Sequence, residues 1–261
     1  MEPATTWHHG LVARWWSLFN LDGPEIAFFR RYVEHGEPAL DLACGTGRLL
    51  VPYVRDGLDV DGTDVSSDML AHCRAAAGAV GAEPTLHAQA THELDLPRSY
   101  ETIYCCGGFG LGGAAADDRL GLRRVYDHLE PGGMFVFDYE IDEYVSALAA
   151  LHREPPESDE PSPDERRRGS DGDDYALRHR MLHFDPGTRR GTRELQAWRW
   201  HDGELVARER HELRFGAYTS DEVLDMTRAA GFAEVRTMGG YDGESVGPHH
   251  EFAVVEARRP G

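Results

Sequence analysis

Hydrophobic side chains recur at helical spacing through Leu11, Trp15 and Leu18 and again through Ile26, Phe29 and Val33, with Asp22-Gly23-Pro24 breaking the run. Two helices are therefore predicted ahead of the main fold (residues 1–36). From Pro38 to Asp138 the pattern changes. Short apolar runs at Ala39–Ala43, Leu58–Gly62, Thr85–Ala88, Thr102–Cys106 and Met134–Asp138 alternate with helical stretches at Leu49–Val54, Met69–Ala77 and Leu120–Leu129. Such alternation predicts βαβ crossovers and a parallel sheet, because parallel neighbours need a connection long enough to cross back over the sheet. Residues 153–174 are crowded with Pro, Glu, Asp, Ser and Arg and hold no large apolar side chain, so a mobile acidic loop is expected there. Three alternating segments follow, Tyr175–Phe184, Thr192–His201 and Leu205–Phe215, the last two joined by the hairpin signal Asp202-Gly203. They predict an inserted antiparallel β-meander (175–215). Thr219 then caps a helix that Gly231 ends, and Phe232–Tyr241 and Phe252–Ala257 predict two closing strands.

Length and composition narrow this picture. A chain of 261 residues, 41% hydrophobic, suits a single domain carrying an insertion and has enough apolar material for a real core. Acidic residues outnumber basic ones 46 to 27, a net charge of −19, and every basic residue is arginine. The absence of lysine excludes Schiff-base chemistry, and the acidic balance repels phosphate backbones, so no nucleic-acid partner is expected. Cys44, Cys73, Cys105 and Cys106 lack CxxC or finger spacing and read as reduced core thiols. With no basic-then-apolar leader and no run near about 18 apolar residues, no membrane association is expected and the location is read as cytoplasmic. The oligomeric state stays open between monomer and homodimer.

The chemistry concentrates in Leu40-Asp41-Leu42-Ala43-Cys44-Gly45-Thr46-Gly47-Arg48, an apolar strand that ends in a glycine-rich turn and runs into a helix. Glycines let the backbone turn tightly and approach a ligand, and the following helix offers free N–H groups. A second acid, Asp64, stands after the next strand, where a carboxylate can accept both hydrogen bonds of a ribose diol. Nicotinamide binding needs G-x-G-x-x-G/A, and Leu50 occupies the third small position.

The residues instead resemble the class I S-adenosylmethionine-dependent methyltransferase family, whose first motif is an acid followed by G-x-G-x-G, with Ala43 replacing the first glycine. Asp64-Val65-Ser66-Ser67-Asp68-Met69-Leu70, Leu94-Asp95-Leu96-Pro97 and Leu129-Glu130-Pro131-Gly132-Gly133 are similar to its later motifs. The resemblance implies a Rossmann-like doubly wound α/β sheet of seven strands, order 3-2-1-4-5-7-6 with strand 7 antiparallel. It also implies S-adenosyl-L-methionine as cofactor and methyl transfer to a small-molecule acceptor through N or O. On the matching positions, Asp41, Ala43, Gly45 and Gly47 would meet the methionine moiety, Asp64 the ribose, and Val65 and Met69 the adenine. An acid usually meets the adenine amine; here Gln89, Ala90 and Thr91 stand in its place. Cys106 and Gly107 would pass beside the sulfonium, and Arg14 is a candidate for the cofactor carboxylate.

Alignment of the acceptor with the S–CH3 bond supplies most of the catalysis, so a base is needed only where the acceptor carries a proton at working pH. Candidates are His9 (with His8 beside it), Tyr139, Glu140 and His250. Glu140 is also a candidate for holding a cationic amine. Trp7, Trp15, Trp16 and Phe19 read either as core or as a lid over the site. No metal is expected: His249 and His250 are neighbours, and on an extended segment their side chains would point apart. The competing reading keeps the fold but uses bound S-adenosylmethionine without transferring its methyl group.

Overall fold

The computed structural model describes residues 6–151, 160–247 and 249–261. Helices α1 (Gly10–Phe19) and α2 (Pro24–His35) come first, as the apolar spacing predicts. Then β1 (Ala39–Leu42), α3 (Leu50–Arg55), β2 (Val60–Thr63), α4 (Ser67–Ala79) and β3 (Leu86–His87) alternate, followed by β4 (Tyr100–Cys105), α5 (Ala115–His128), β5 (Leu129–Glu140) and α6 (Asp142–Leu151). An insertion supplies β6 (Arg167–Arg168), β7 (Asp174–Asp185), β8 (Arg190–His201) and β9 (Glu204–Gly216), and α7 (Ser220–Ala229), β10 (Ala233–Gly239) and β11 (Phe252–Arg258) close the fold.

The main sheet has seven strands in the order β10-β11-β5-β4-β1-β2-β3. β11 runs antiparallel to both β5 and β10, while β1, β2, β3, β4 and β5 pair in parallel. This is the expected 3-2-1-4-5-7-6 arrangement with an antiparallel strand 7. All residues of β1 and β2 are buried, as central parallel strands must be when helices cover both faces. One apolar layer, including Phe135, Phe137, Leu122 and Val223, packs α5 and α7 against the sheet; another, including Phe29, Leu50, Tyr53 and Cys73, packs α2, α3 and α4 on the opposite face. Ser66 caps α4 by accepting from the Met69 N–H (3.2 Å), and Thr219 with Glu222 forms a capping box on α7.

Three expectations need correction. The insertion is a four-stranded sheet, because Arg167 and Arg168 pair with Tyr175 and Asp174 and add a short edge strand to the three predicted. The loop expected over 153–174 falls partly, at 153–159, outside the described residues. Its remainder is held by charge: Glu165 pairs with Arg178 (2.9 Å), Asp171 with Arg14 (2.6 Å) and Asp173 with Arg199 (2.5 Å). Charged side chains taken as a sign of mobility are here the groups that dock the segment. Finally, the Leu129–Gly133 motif is not a connection before β5 but its first residues, accommodated by a register shift against β4. The apolar pattern does not single out α6.

Candidate active site

β1, β2, β4 and β5 present their C-terminal ends on one edge of the sheet, where crevices form between strands whose crossovers leave in opposite directions. β1 lies between β2 and β4, with Asp41 opposite Gly62 on one side and Tyr104 on the other. Burial pushes the Asp41 carboxyl well above the ordinary carboxylate range. The chain leaves β1 through Ala43 at φ +55° and Gly45 at φ +57°. The left-handed conformation at Ala43 accounts for glycine being the usual residue at that motif position.

The tip of β2 reaches the same turn. Asp64 accepts the Gly45 N–H at 3.0 Å with one carboxylate oxygen and the Ser66 N–H at 2.8 Å with the other. Desolvation raises the Asp64 pKa, opposed by these backbone hydrogen bonds. A carboxylate has about four acceptor positions, more than these N–H groups and that of Val65 occupy, so capacity remains for a ligand. Both residues line a cavity of about 410 Å³, inside the range of small-molecule sites.

Most residues singled out for the cofactor lie on that cavity: Asp41, Ala43, Gly45, Asp64, Val65, Met69, Gln89, Ala90, Thr91, Cys106 and Gly107. Gln89 turns its amide onto the Asp95 backbone, accepting from its N–H at 3.0 Å and donating to its carbonyl at 3.3 Å, so it anchors this wall. The Gly107 N–H donates to Asp138, which also takes the Tyr241 hydroxyl; a buried carboxylate thus fixes the loop after β4. Two expected residues are elsewhere. Gly47 (φ +85°) is absent from the cavity wall, and a Cβ there would meet Cys73 Sγ and Val51 Cγ2 at 2.7 Å, so its smallness serves helix packing. Arg14 is drawn to Asp171 at 2.6 Å, away from the cavity.

The candidate bases fare less well. His9 lies off the cavity, 4.0 Å from Asp68. His8 does line it, but the Trp7 indole N–H donates to its Nε2 at 3.0 Å and Thr6 Oγ1 stands 3.2 Å from Nδ1. Desolvation, reinforced by neighbouring His9, lowers its pKa to about 4, so it is neutral at working pH. Tyr139 donates to Ser220 Oγ at 2.9 Å, its pKa raised by burial, and does not reach the cavity. Glu140 is on the wall but is gripped by Arg193 through two hydrogen bonds of 3.0 and 2.5 Å. His250 lies in the β10–β11 loop, off the cavity. There the rings of His249 and His250 stand 4.0 Å apart, so the expectation that they point apart is wrong: the segment is a turn, not extended backbone.

Other wall residues carry little sequence signal. Arg48, immediately after the glycine turn, lines the cavity and pairs with Glu25 of α2. Asp118 comes from the first turn of α5; it accepts the Tyr218 hydroxyl and lies 3.6 Å from Arg190, and burial raises its pKa. Arg193 and Leu213 come from the inserted sheet. Trp7, Trp16 and Asn20 close the wall from the N-terminal segment, with Val12, Trp15 and Phe19 packed on that sheet. The backbone of α1 is latched to both sides, Gly10 N–H to Asp68 and Leu11 N–H to Glu209, each at 2.8 Å.

Comparison with known protein families matches residues 39–133 to the methyltransferase domain family. The match takes in β1 to the start of β5 and leaves α1, α2, the inserted sheet and the closing elements outside it. Outside it the curated relatives fall away: the chain is 31% identical over 101 residues to a Streptomyces venezuelae dTDP-3-amino-3,4,6-trideoxy-alpha-D-glucopyranose N,N-dimethyltransferase, covering 38% of this chain and 40% of that protein. It is 26% identical over 157 residues to rat (Rattus norvegicus) glycine N-methyltransferase, 52% and 54% of the two chains. The chain thus matches about half or less of the length of these curated relatives. Over the whole fold, an S-adenosylmethionine-dependent methyltransferase from Clostridium acetobutylicum ATCC 824 is similar at a TM-score of 0.74, with 20% identity, 95% of this chain and 97% of that one covered. The segment matched to that family supplies the β1 turn, Asp64 and the β4 loop, while α1 and the inserted sheet supply the opposite wall.

Proposed function

We propose that the protein transfers a methyl group from S-adenosylmethionine to a small-molecule amine. The observation that carries this reading is the hydrogen bond joining the β1 glycine turn to Asp64 on the wall of one cavity. The wall fits an adenosyl ligand: Asp64 keeps lone pairs for ribose hydroxyls, Val65 and Met69 give apolar flanks, and Ala90 and Thr91 bring backbone groups where an amine would be read. Arg48, beside the turn, is the candidate for the cofactor carboxylate in place of Arg14.

When bound, the sulfonium supplies an electrophilic methyl group. The chain's part is to desolvate, orient and hold charge. The Cys106–Leu111 loop, tied by Gly107 to Asp138, forms a rigid wall beside the reacting atoms, and Trp7 and Trp16 exclude water from the lid side. An amine reaching this site must be neutral to attack and becomes cationic on methylation. Asp118, on the wall and raised in pKa by burial, is the group suited to take that cation's proton through the acceptor capacity that Tyr218 and Arg190 leave it, whereas Glu140 is held by two hydrogen bonds from Arg193. The amine acceptor is supported by the N-methyltransferases among the similar proteins, one of which, the sugar N-methyltransferase KedS8 from Streptoalloteichus sp ATCC 53650, matches the full length at a TM-score of 0.65.

The test is incubation of the protein with S-adenosylmethionine and a panel of small amines, reading S-adenosylhomocysteine by mass spectrometry. Stoichiometric release with a mass gain of one CH2 on an amine is expected. Tight cofactor binding without release for any acceptor would favour the non-transferring reading.

A further inference from the structure

The loop that joins β10 to β11 carries a cluster of donor groups that the cavity does not use. Glu244, His249 and His250 each offer one ligand atom, and those atoms lie within 4.8 Å of one another. None of these residues lines the cavity. We propose that Glu244, His249 and His250 bind a divalent transition-metal ion of the zinc class, as a clamp on this loop.

The spacing carries the argument. A tetrahedral ion with bonds of about 2.0 to 2.1 Å separates its ligand atoms by about 3.4 Å. Glu244 Oε2 and His249 Nε2 stand 3.6 Å apart, so little movement brings both onto one ion. The two imidazoles already lie together, ring centres 4.0 Å apart. The backbone holds this arrangement in place: the Gly239 N–H donates to the Glu244 carbonyl at 2.8 Å, the Glu244 N–H to Asp242 at 3.1 Å, and the His250 N–H to the Gly247 carbonyl at 3.0 Å. His250 Nδ1 accepts the Gly247 N–H at 3.1 Å and lies 3.3 Å from the Gly247 carbonyl, so ligation through Nε2 requires the ring proton to move to Nδ1 and turn to that carbonyl, the outer hydrogen bond a ligating histidine characteristically makes.

The donor chemistry selects the metal. Two imidazoles and one carboxylate suit zinc, cobalt or nickel, whereas magnesium and calcium prefer oxygen-only sets. Three protein ligands leave a position for water. A chain of net charge −19 also concentrates cations at its surface. The clamp would bear on the site through Tyr241 in the same loop, whose hydroxyl donates to Asp138, the carboxylate that fixes Gly107 on the cavity wall.

The experiment uses the full chain without an affinity tag, stripped with EDTA and desalted, titrated calorimetrically with zinc chloride and, separately, with cobalt(II), whose visible bands report coordination by nitrogen. One equivalent of saturable binding is expected, with a rise in melting temperature. His249→Ala and His250→Ala should each weaken it by about 100-fold or more, the upper end of what even an outer-shell change does to metal affinity. Glu244→Gln should weaken it less, and His183→Ala, an exposed histidine elsewhere, should leave it unchanged. Circular dichroism of each variant separates lost binding from lost folding, and the cobalt bands of Glu244→Gln give a second reading if a histidine variant misfolds. No saturable binding to the wild-type chain, or binding that survives both histidine variants, would overturn the proposal. Neither result bears on methyl transfer, which is read by a different assay.

Discussion

The backbone N–H of Gly45 donates to the carboxylate of Asp64 at 3.0 Å, joining the turn after β1 to the tip of β2 across 19 residues of sequence. Asp64 therefore has two duties: it fixes the glycine turn and keeps acceptor positions free. Asp64→Ala should weaken S-adenosylmethionine binding by about 1.5 to 3 kcal/mol, the range for hydrogen bonds to a charged group. Calorimetry checks this, and a wild-type dissociation constant would take Asp64 out of the site. Asp64→Asn keeps one acceptor oxygen and should fall between.

Ala43 holds φ +55°, a conformation that costs an L-residue about 1 to 2 kcal/mol. Glycine removes this strain but gains freedom in the unfolded chain worth about 0.4 to 1 kcal/mol. Ala43→Gly should thus stabilise the protein by about 0.5 to 1 kcal/mol, the difference of those terms. Urea denaturation reads the result; a lower midpoint would mean that packing of the Ala43 methyl group against Gly108 outweighs the strain.

His8 is half-buried on the cavity wall and neutral, its pKa lowered by desolvation to about 4 from 6.5. The unfolded chain binds this proton more tightly, so below pH 6.5 protonation favours unfolding. Stability contributed by the neutral His8 is complete above about pH 6.5 and declines as pH falls toward 4, by up to about 3 kcal/mol. Replacement by glutamine should flatten the profile in that window. A slope identical to wild type between pH 6.5 and 4 would show that His8 is not desolvated in the folded protein.

Glu209, on the inserted sheet, accepts the Leu11 N–H and so holds α1 down from the side opposite Asp68. Glu209→Ala removes a partner from the first turn of the lid helix, worth about 1 kcal/mol, or roughly fivefold in lid opening. Cofactor release should quicken by that factor, followed by stopped-flow fluorescence of Trp7 and Trp16, which line the cavity. An unchanged release rate would mean that α1 does not gate the site.

Local sequence determined the alternation of strands and helices, the turn Ala43–Gly47, the acid after β2 and the caps at Ser66 and Thr219. Each depends on neighbours within a few residues: period, a φ value, a side chain reaching its own backbone. Which titratable side chain is free was decided by partners far along the chain. Arg14 is spent on Asp171, Glu140 on Arg193 and Tyr139 on Ser220, at separations of 157, 53 and 81 residues. No periodicity encodes such pairings, because they arise only when packing brings opposite charges or donors and acceptors together out of water. The same packing put Asp118, Arg193 and Leu213 on the cavity wall, and a turn where extended chain was expected brought His249 against His250.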